Sequence, residues 1–152
     1  MASQSGAMMP VAGDVAVVAG LFASAFLAGS ILPAQSEAVL AALLIAGQQP
    51  AWLLVLVASL GNIAGAALNY GLGRSADRFR HRRWFPLSAA GWDRSAALFN
   101  RWGQWCLLLS WLPIIGDGFT VLAGAARMPV WRFLLLVSIA KAGRYLVLAA
   151  LL

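Results

Sequence analysis

Residues 110–139, SWLPIIGDGFTVLAGAARMPVWRFLLLVSI, decide the fold. A short apolar run, Trp105–Leu112, ends at Pro113, and an acid, Asp117, follows four residues later. A second short run, Gly118–Ala126, leads to Arg127 and Pro129, after which Trp131–Leu152 is long and apolar. Residues 30–60, SILPAQSEAVLAALLIAGQQPAWLLVLVASL, repeat this order 80 positions earlier. Leu27, Ser30, Leu32 and Pro33 fall on Leu107, Ser110, Leu112 and Pro113, and Glu37 falls on Asp117. With one residue deleted, Pro50, Trp52, Leu56 and Ser59 fall on Pro129, Trp131, Leu135 and Ser138. Apolar letters match easily in such a chain; two prolines, a tryptophan, two serines and an acid in order do not. The chain is read as an internal repeat.

Length assigns roles within each unit. Ala51–Gly73 and Trp131–Leu152 reach the roughly 20 residues a crossing helix needs. Ala38–Gly47 covers only about half of a ~30 Å hydrocarbon core. Each unit is therefore expected to be a half-length hairpin with a Pro/acid tip, followed by one crossing. A hairpin that enters and leaves on one side adds no crossing, so the second unit starts on the opposite side. The repeats should then be inverted, as in many secondary transporters. The alternative is that Val15–Leu32 spans outright. The expected fold is all-α integral membrane: one membrane domain over 1–152, with repeat 1 at about 14–73, a basic amphipathic linker at 74–104 and repeat 2 at about 105–152.

Composition agrees with a bilayer as solvent. The 152 residues are 62% hydrophobic and 11% charged, against about 25% charged in soluble domains. No Lys or Arg precedes the apolar run at Val15, so the basic start of a cleaved signal peptide is missing. The net charge of +6 does not point to nucleic acid, because most of the positive charge lies in one segment between apolar stretches. In the re-entrant model Arg74, Arg78, Arg80, Arg82, Arg83, Arg94, Arg101, Arg127 and Arg132 share one face, and no Lys or Arg lies on the other. The linker is thus expected to be cytoplasmic, with residues 48–50 and both termini opposite. Within it Trp92, Ala96, Phe99, Trp102 and Cys106 recur at helical spacing, as in an interfacial amphipathic helix. A single cysteine, Cys106, excludes an internal disulfide and a cysteine-rich metal site, and His81 sits in RFRHRR as a solvated residue. No metal or cofactor is expected.

Four ionisable residues lie in the apolar segments: Glu37, Asp117, Lys141 and Arg144. Each would cost about 2.5–3.5 kcal/mol unpaired at the bilayer centre. Two acids and two bases can neutralise one another if the hairpin tips meet the crossings at mid-depth. Asn62 holds the place of Lys141 in the first repeat, and Asn69 lies two turns further along that face. Ser36 or Glu37, and Gly116 or Asp117, are expected N-caps of the short helices. Their positive helix ends, with Lys141 and Arg144, favour an anion such as phosphate or carboxylate. Glu37 and Asp117 could instead carry protons. Gly61, Gly65, Asn69, Gly71 and Gly73 are not followed by Gly-Lys-Ser/Thr, so they are read as a close-packing surface.

LPAQSEAVL (32–40), GNIAGAALNYGLGR (61–74), SWLPIIGDGFTVLAGAARMPVWRF (110–133) and KAGRYLVLA (141–149) resemble the DedA family of SNARE-associated or VTT-domain membrane proteins, most closely its short YqaA-like branch. The resemblance covers nearly the whole chain from about residue 20. It implies a bacterial inner-membrane protein with two facing re-entrant hairpins, and a role in flipping polyprenyl phosphate or other lipids and in proton-motive-force maintenance. By motif, Glu37 resembles the family's hairpin acid and Arg127 its arginine after the second hairpin. The second tip departs from the family's Pro-Gly-x-Arg: here Pro113-Ile-Ile-Gly116-Asp117 replaces an arginine with an acid. The expected function is transport, flipping or scrambling of an anionic membrane lipid, coupled to protons or passive. A non-catalytic membrane organiser is the alternative. A lipid hydrolase is weaker, because no Ser/His/Asp or metal-ligand constellation is present, so the chain is not expected to be an enzyme. The small helix count suits a homodimer.

Overall fold

The computed structural model describes residues 12–30, 36–75, 89–111 and 115–152. Pro33, Pro113, His81 and the arginines of 78–83 lie outside them, as does the side chain of Trp92. The described residues are helical, with no strand among them. In chain order they form α1 (Ala12–Gly29), α2 (Ser36–Ala46), α3 (Ala51–Arg74), α4 (Ala89–Trp102), a 3₁₀ segment (Gly103–Trp111), α5 (Ile115–Ala125) and α6 (Val130–Leu151). Among the described residues, only α3 and α6 are both long and apolar enough to cross a bilayer.

Both long helices start in the same way. Pro50 (φ −61°, ψ 133°) precedes α3 and Pro129 (φ −55°, ψ 131°) precedes α6. Proline's fixed φ suits this position, and its carbonyl opens the helical ladder. Leu53 and Leu54 N–H donate to Pro50 O, while Arg132 and Phe133 N–H donate to Pro129 O. The short helices α2 and α5 have 11 residues each, and both end on a left-handed residue: Gly47 at φ 66° and Arg127 at φ 54°. Gly47 N–H closes back on Leu43 O at 3.2 Å. Arg127 and Met128 N–H close on Gly124 O and Ala123 O at 3.0 and 3.1 Å, the paired bonds of a Schellman cap.

Three expectations change. First, α1 has 18 residues and runs about 27 Å, so it is no half-length arm matched to the 11 residues of α2. Second, the amphipathic helix does not continue to Cys106: Gly103, at φ 60°, stops α4, and the chain tightens into the 3₁₀ segment. Ala96 and Phe99 pack on the core, and Trp102 is 58% exposed under the Arg101 guanidinium. Third, α5 starts at Ile115, ahead of Gly116 and Asp117.

Helix α3 is the spine, packing on α1, α5 and α6. Apolar burial cannot drive this association in lipid, because acyl chains are as apolar as leucine; close backbone approach and interhelical hydrogen bonds must do so. The glycine stripe supplies the approach. A Cβ on Gly61 or Gly65 would overlap the α1 backbone, and one on Gly73 would overlap Val121 O of α5. Gly124 faces Tyr70 O reciprocally, whereas Gly71 faces open space. Two apolar clusters flank the spine: one joins α1, α2, α3 and α6 around Leu21, Leu40 and Leu54, the other sets Tyr70 and Phe119 against Phe133.

Candidate functional site

Ionisable and polar side chains meet where α3, α6 and the first turn of α2 converge. Lys141, 3% exposed, donates through Nζ to Asn62 Oδ1. Asn62 Nδ2 donates to Tyr145 Oη at 3.0 Å, and Tyr145 Oη is 2.8 Å from Ser36 Oγ. The order Lys141, Asn62, Tyr145, Ser36 forms one chain of contacts across three helices. Ser36 turns its hydroxyl to Tyr145, where an N-cap was expected.

Beside this sealed chain lies an accessible ion pair. Arg144 pairs with Glu37, and their side chains are 25% and 50% exposed. The Arg144 guanidinium also stands 5.7 Å from the centre of the Tyr145 ring, within cation–π range. Consecutive residues of α6 thus take consecutive residues of α2: Arg144 with Glu37, Tyr145 with Ser36. A groove of about 410 Å³ flanks Arg144, lined by Ala140, Gly143 and Val147.

The expected single site divides in two. Asn69, two turns beyond Asn62 and so about 10.5 Å along α3, belongs to a separate junction. Its Nδ2 faces Gly29 O, Ser30 O and Thr120 Oγ1 at 3.1, 3.3 and 3.3 Å. Arg127 is in neither group: it is exposed on the turn before α6, which Tyr70 fastens by donating to Met128 O. Gly116 is buried against the backbone of Ser110, so the 3₁₀ segment folds closely onto the start of α5. The side chain of Asp117 lies outside the described residues.

Tyr145 and Thr120 were not singled out from the sequence. Tyr145 carried a usable signal. It sits one helical turn from Lys141 in an apolar helix, and a buried tyrosine hydroxyl requires a partner. Thr120 carried none, because its partner comes from α3, 51 residues away.

Helices of bilayer-crossing length, with paired and hydrogen-bonded ionisable residues set among them, define a polytopic α-helical membrane protein. The VTT domain model matches residues 32–152, and the chain belongs to this family, the DedA family. It is 40% identical over 130 residues to the inner membrane protein YqaA of Escherichia coli K12, covering 86% of this chain and 87% of that one. The same figures hold for YqaA of Shigella flexneri. An uncharacterized protein of Haemophilus influenzae is 34% identical over 135 residues, covering 84% and 82% of the two chains. No solved structure matches. The chain is an inner-membrane protein.

Proposed function

We propose that the chain moves an anionic lipid or lipid phosphate across the inner membrane, with Arg144 holding the headgroup and Glu37 yielding it. The partly exposed Glu37–Arg144 pair beside the groove of about 410 Å³ carries this reading. Arginine's planar fork binds carboxylate and phosphate in the same two-point geometry. An entering phosphate therefore competes with Glu37 for one guanidinium. Re-formation of the Glu37–Arg144 pair would then release the headgroup. Lys141 adds positive charge from behind and stays sealed. The step is exchange of ionic partners, with no bond broken in the lipid.

The same reading places the α1–α2 and 3₁₀–α5 pairs as hairpins entering from opposite faces. Recurrence of the helix order supports it, as does the bond between Lys141 and Asn62, which occupy equivalent positions of the two repeats. The basic 74–104 linker then lies in the cytoplasm, where its arginines gather anionic lipid at roughly 1 kcal/mol each.

Liposomes holding the purified protein and labelled anionic or zwitterionic lipids provide the test. The wild type should flip the anionic lipids preferentially. Arg144→Lys should fold but flip at least tenfold more slowly, and Arg83→Lys should behave as wild type. Normal flipping by Arg144→Lys, with Arg144→Ala unable to fold, would make the pair a scaffold and end the proposal.

A further inference from the structure

We infer that the groove between the first halves of α1 and α3 holds one membrane lipid with a primary-amine headgroup. Its shape follows from where glycine is placed. A Cβ on Gly61 would lie 2.6 Å from Phe22 O, so from this level onward the two helices touch backbone to backbone. Residues 51–60 of α3 contain no glycine, and a Cβ on Gly13 or Gly20 of α1 would meet nothing within 4 Å. Ahead of the contact, side chains keep the helices apart. The gap is a groove of about 750 Å³, lined in its depth by Val18 and Phe22 of α1 and by Leu53, Val57 and Leu60 of α3.

The groove has the dimensions of one lipid in one leaflet. Its mouth is polar, formed by Asp14, Gln48 and Gln49 beside Pro50. Asp14 to Phe22 is about 12 Å along α1, and Pro50 to Leu60 about 15 Å along α3. Half of a ~30 Å hydrocarbon core is about 15 Å. A slot open at headgroup level and closed at mid-depth takes an acyl chain. A crossing helix of a second copy would have to run on past Phe22, where the slot ends.

Charge selects the head. Among the described residues of the lining Asp14 alone is ionisable, and the first 73 residues of the chain contain no Lys or Arg. Gln49 Nε2 donates to Asp14 Oδ1 at 3.0 Å and holds the carboxylate at the mouth. A carboxylate offers about four acceptor sites, enough for Gln49 and an ammonium together. A primary ammonium brings three N–H donors, whereas a trimethylammonium brings none. A head of net negative charge would meet Asp14 with no cation in the lining to balance it. The mouth lies at the opposite end of α3 from Arg74, about 36 Å away, and the site stands whether or not Arg144 moves lipid.

The test is melting of the full chain in detergent micelles, followed by the fluorescence of its seven tryptophans. Phosphatidylethanolamine, phosphatidylcholine and phosphatidylglycerol with identical acyl chains are added in turn. A lipid that binds only the folded state raises the midpoint and saturates. Ala19→Phe puts a ring into the groove from an exposed position. The part of each rise that this variant removes belongs to the groove, and binding at Arg144 stays. That part should saturate at the lowest lipid fraction with phosphatidylethanolamine. Asp14→Asn should weaken this half-saturation roughly tenfold, by loss of one charge-assisted contact, and leave phosphatidylcholine unaffected. Equal half-saturation by phosphatidylethanolamine and phosphatidylcholine, or tighter binding of phosphatidylglycerol, would overturn the proposal. A lipid-free midpoint that climbs with protein concentration in the wild type and not in Ala19→Phe would assign the groove to a second copy and overturn it too. Should Ala19→Phe fail to fold, Asp14→Asn decides alone, and an unshifted response to phosphatidylethanolamine there overturns the site.

Discussion

Helices α2 and α5 are the same length and end in the same left-handed turn, yet one lies open and the other is sealed. In α2 only Ser36 and Leu40 are buried. In α5 Gly116 and every residue from 118 to 124 are buried. Composition accounts for the difference. Helix α5, IGDGFTVLAGA, presents glycines that let its backbone touch α3, whereas α2, SEAVLAALLIA, has none and keeps its neighbours at side-chain distance. The second half is a wedge fixed by backbone contact. The first is tethered mainly at one end, by Ser36 to Tyr145 and Glu37 to Arg144. The candidate site is thus built where the loosely held piece meets the rigid frame.

The most severe way to break this comparison is to fill the wedge. A Cβ at Gly124 would overlap Tyr70 O, and backbone on both sides leaves nothing to yield. Gly124→Ala should cost about 3 kcal/mol or more and abolish monodisperse folded protein in size-exclusion chromatography. Gly71→Ala, facing open space, should instead gain roughly 0.5–1 kcal/mol. Equal melting of the two variants would refute backbone wedging.

Cutting the tether should have an intermediate effect. Tyr145→Phe leaves Ser36 and Asn62 short of a partner, at about 1–3 kcal/mol. In a Cys106→Ala background, a cysteine at Val39 on α2 should then react faster with a maleimide, while one at Val121 on α5 should not. Parallel acceleration at both positions would mean that the two helices are held alike.

The smallest effect sharpens the comparison at the turns. Arg127 stands 80 residues after Gly47, in the same left-handed conformation, which costs a non-glycine residue about 1–2 kcal/mol. Arg127→Gly should raise stability by about 1 kcal/mol, and Gly47→Arg should lower stability by a similar amount. Loss of stability in Arg127→Gly would show that the arginine side chain holds the fold.

What could be read in advance followed from local rules. Prolines at 50 and 129 marked both long helices, because a residue that lacks N–H and has a fixed φ starts a helix well. Four-residue glycine spacing marked the packing face. A charge that cannot stay unpaired in lipid marked Glu37 and Arg144. Lys141 was expected to meet an acid, Glu37 or Asp117, and the structure gives it Asn62 as a partner. What could not be read depended on the third dimension. Asn62 and Asn69 share a helical face and looked like one site, but α6 covers the first and α5 the second. The break at Gly103 was equally hidden, since the apolar period runs through it unchanged.

That break changes how far the chain reaches. Nine residues of α-helix would advance about 13.5 Å, but nine in the 3₁₀ form advance about 18 Å. Half of a 30 Å core is about 15 Å. The segment from Gly103 to Trp111 is therefore long enough to run from a membrane surface to mid-depth, and an α-helix of the same residues falls short. Its side chains also stack in rows three apart, and the row Gln104, Leu107 and Ser110 faces inward with its last two members buried. Conversion of this segment to α-helix would shorten it by about 4.5 Å, nearly one helical turn. That shortening would draw the end of α4 and Trp111 toward each other by the same distance.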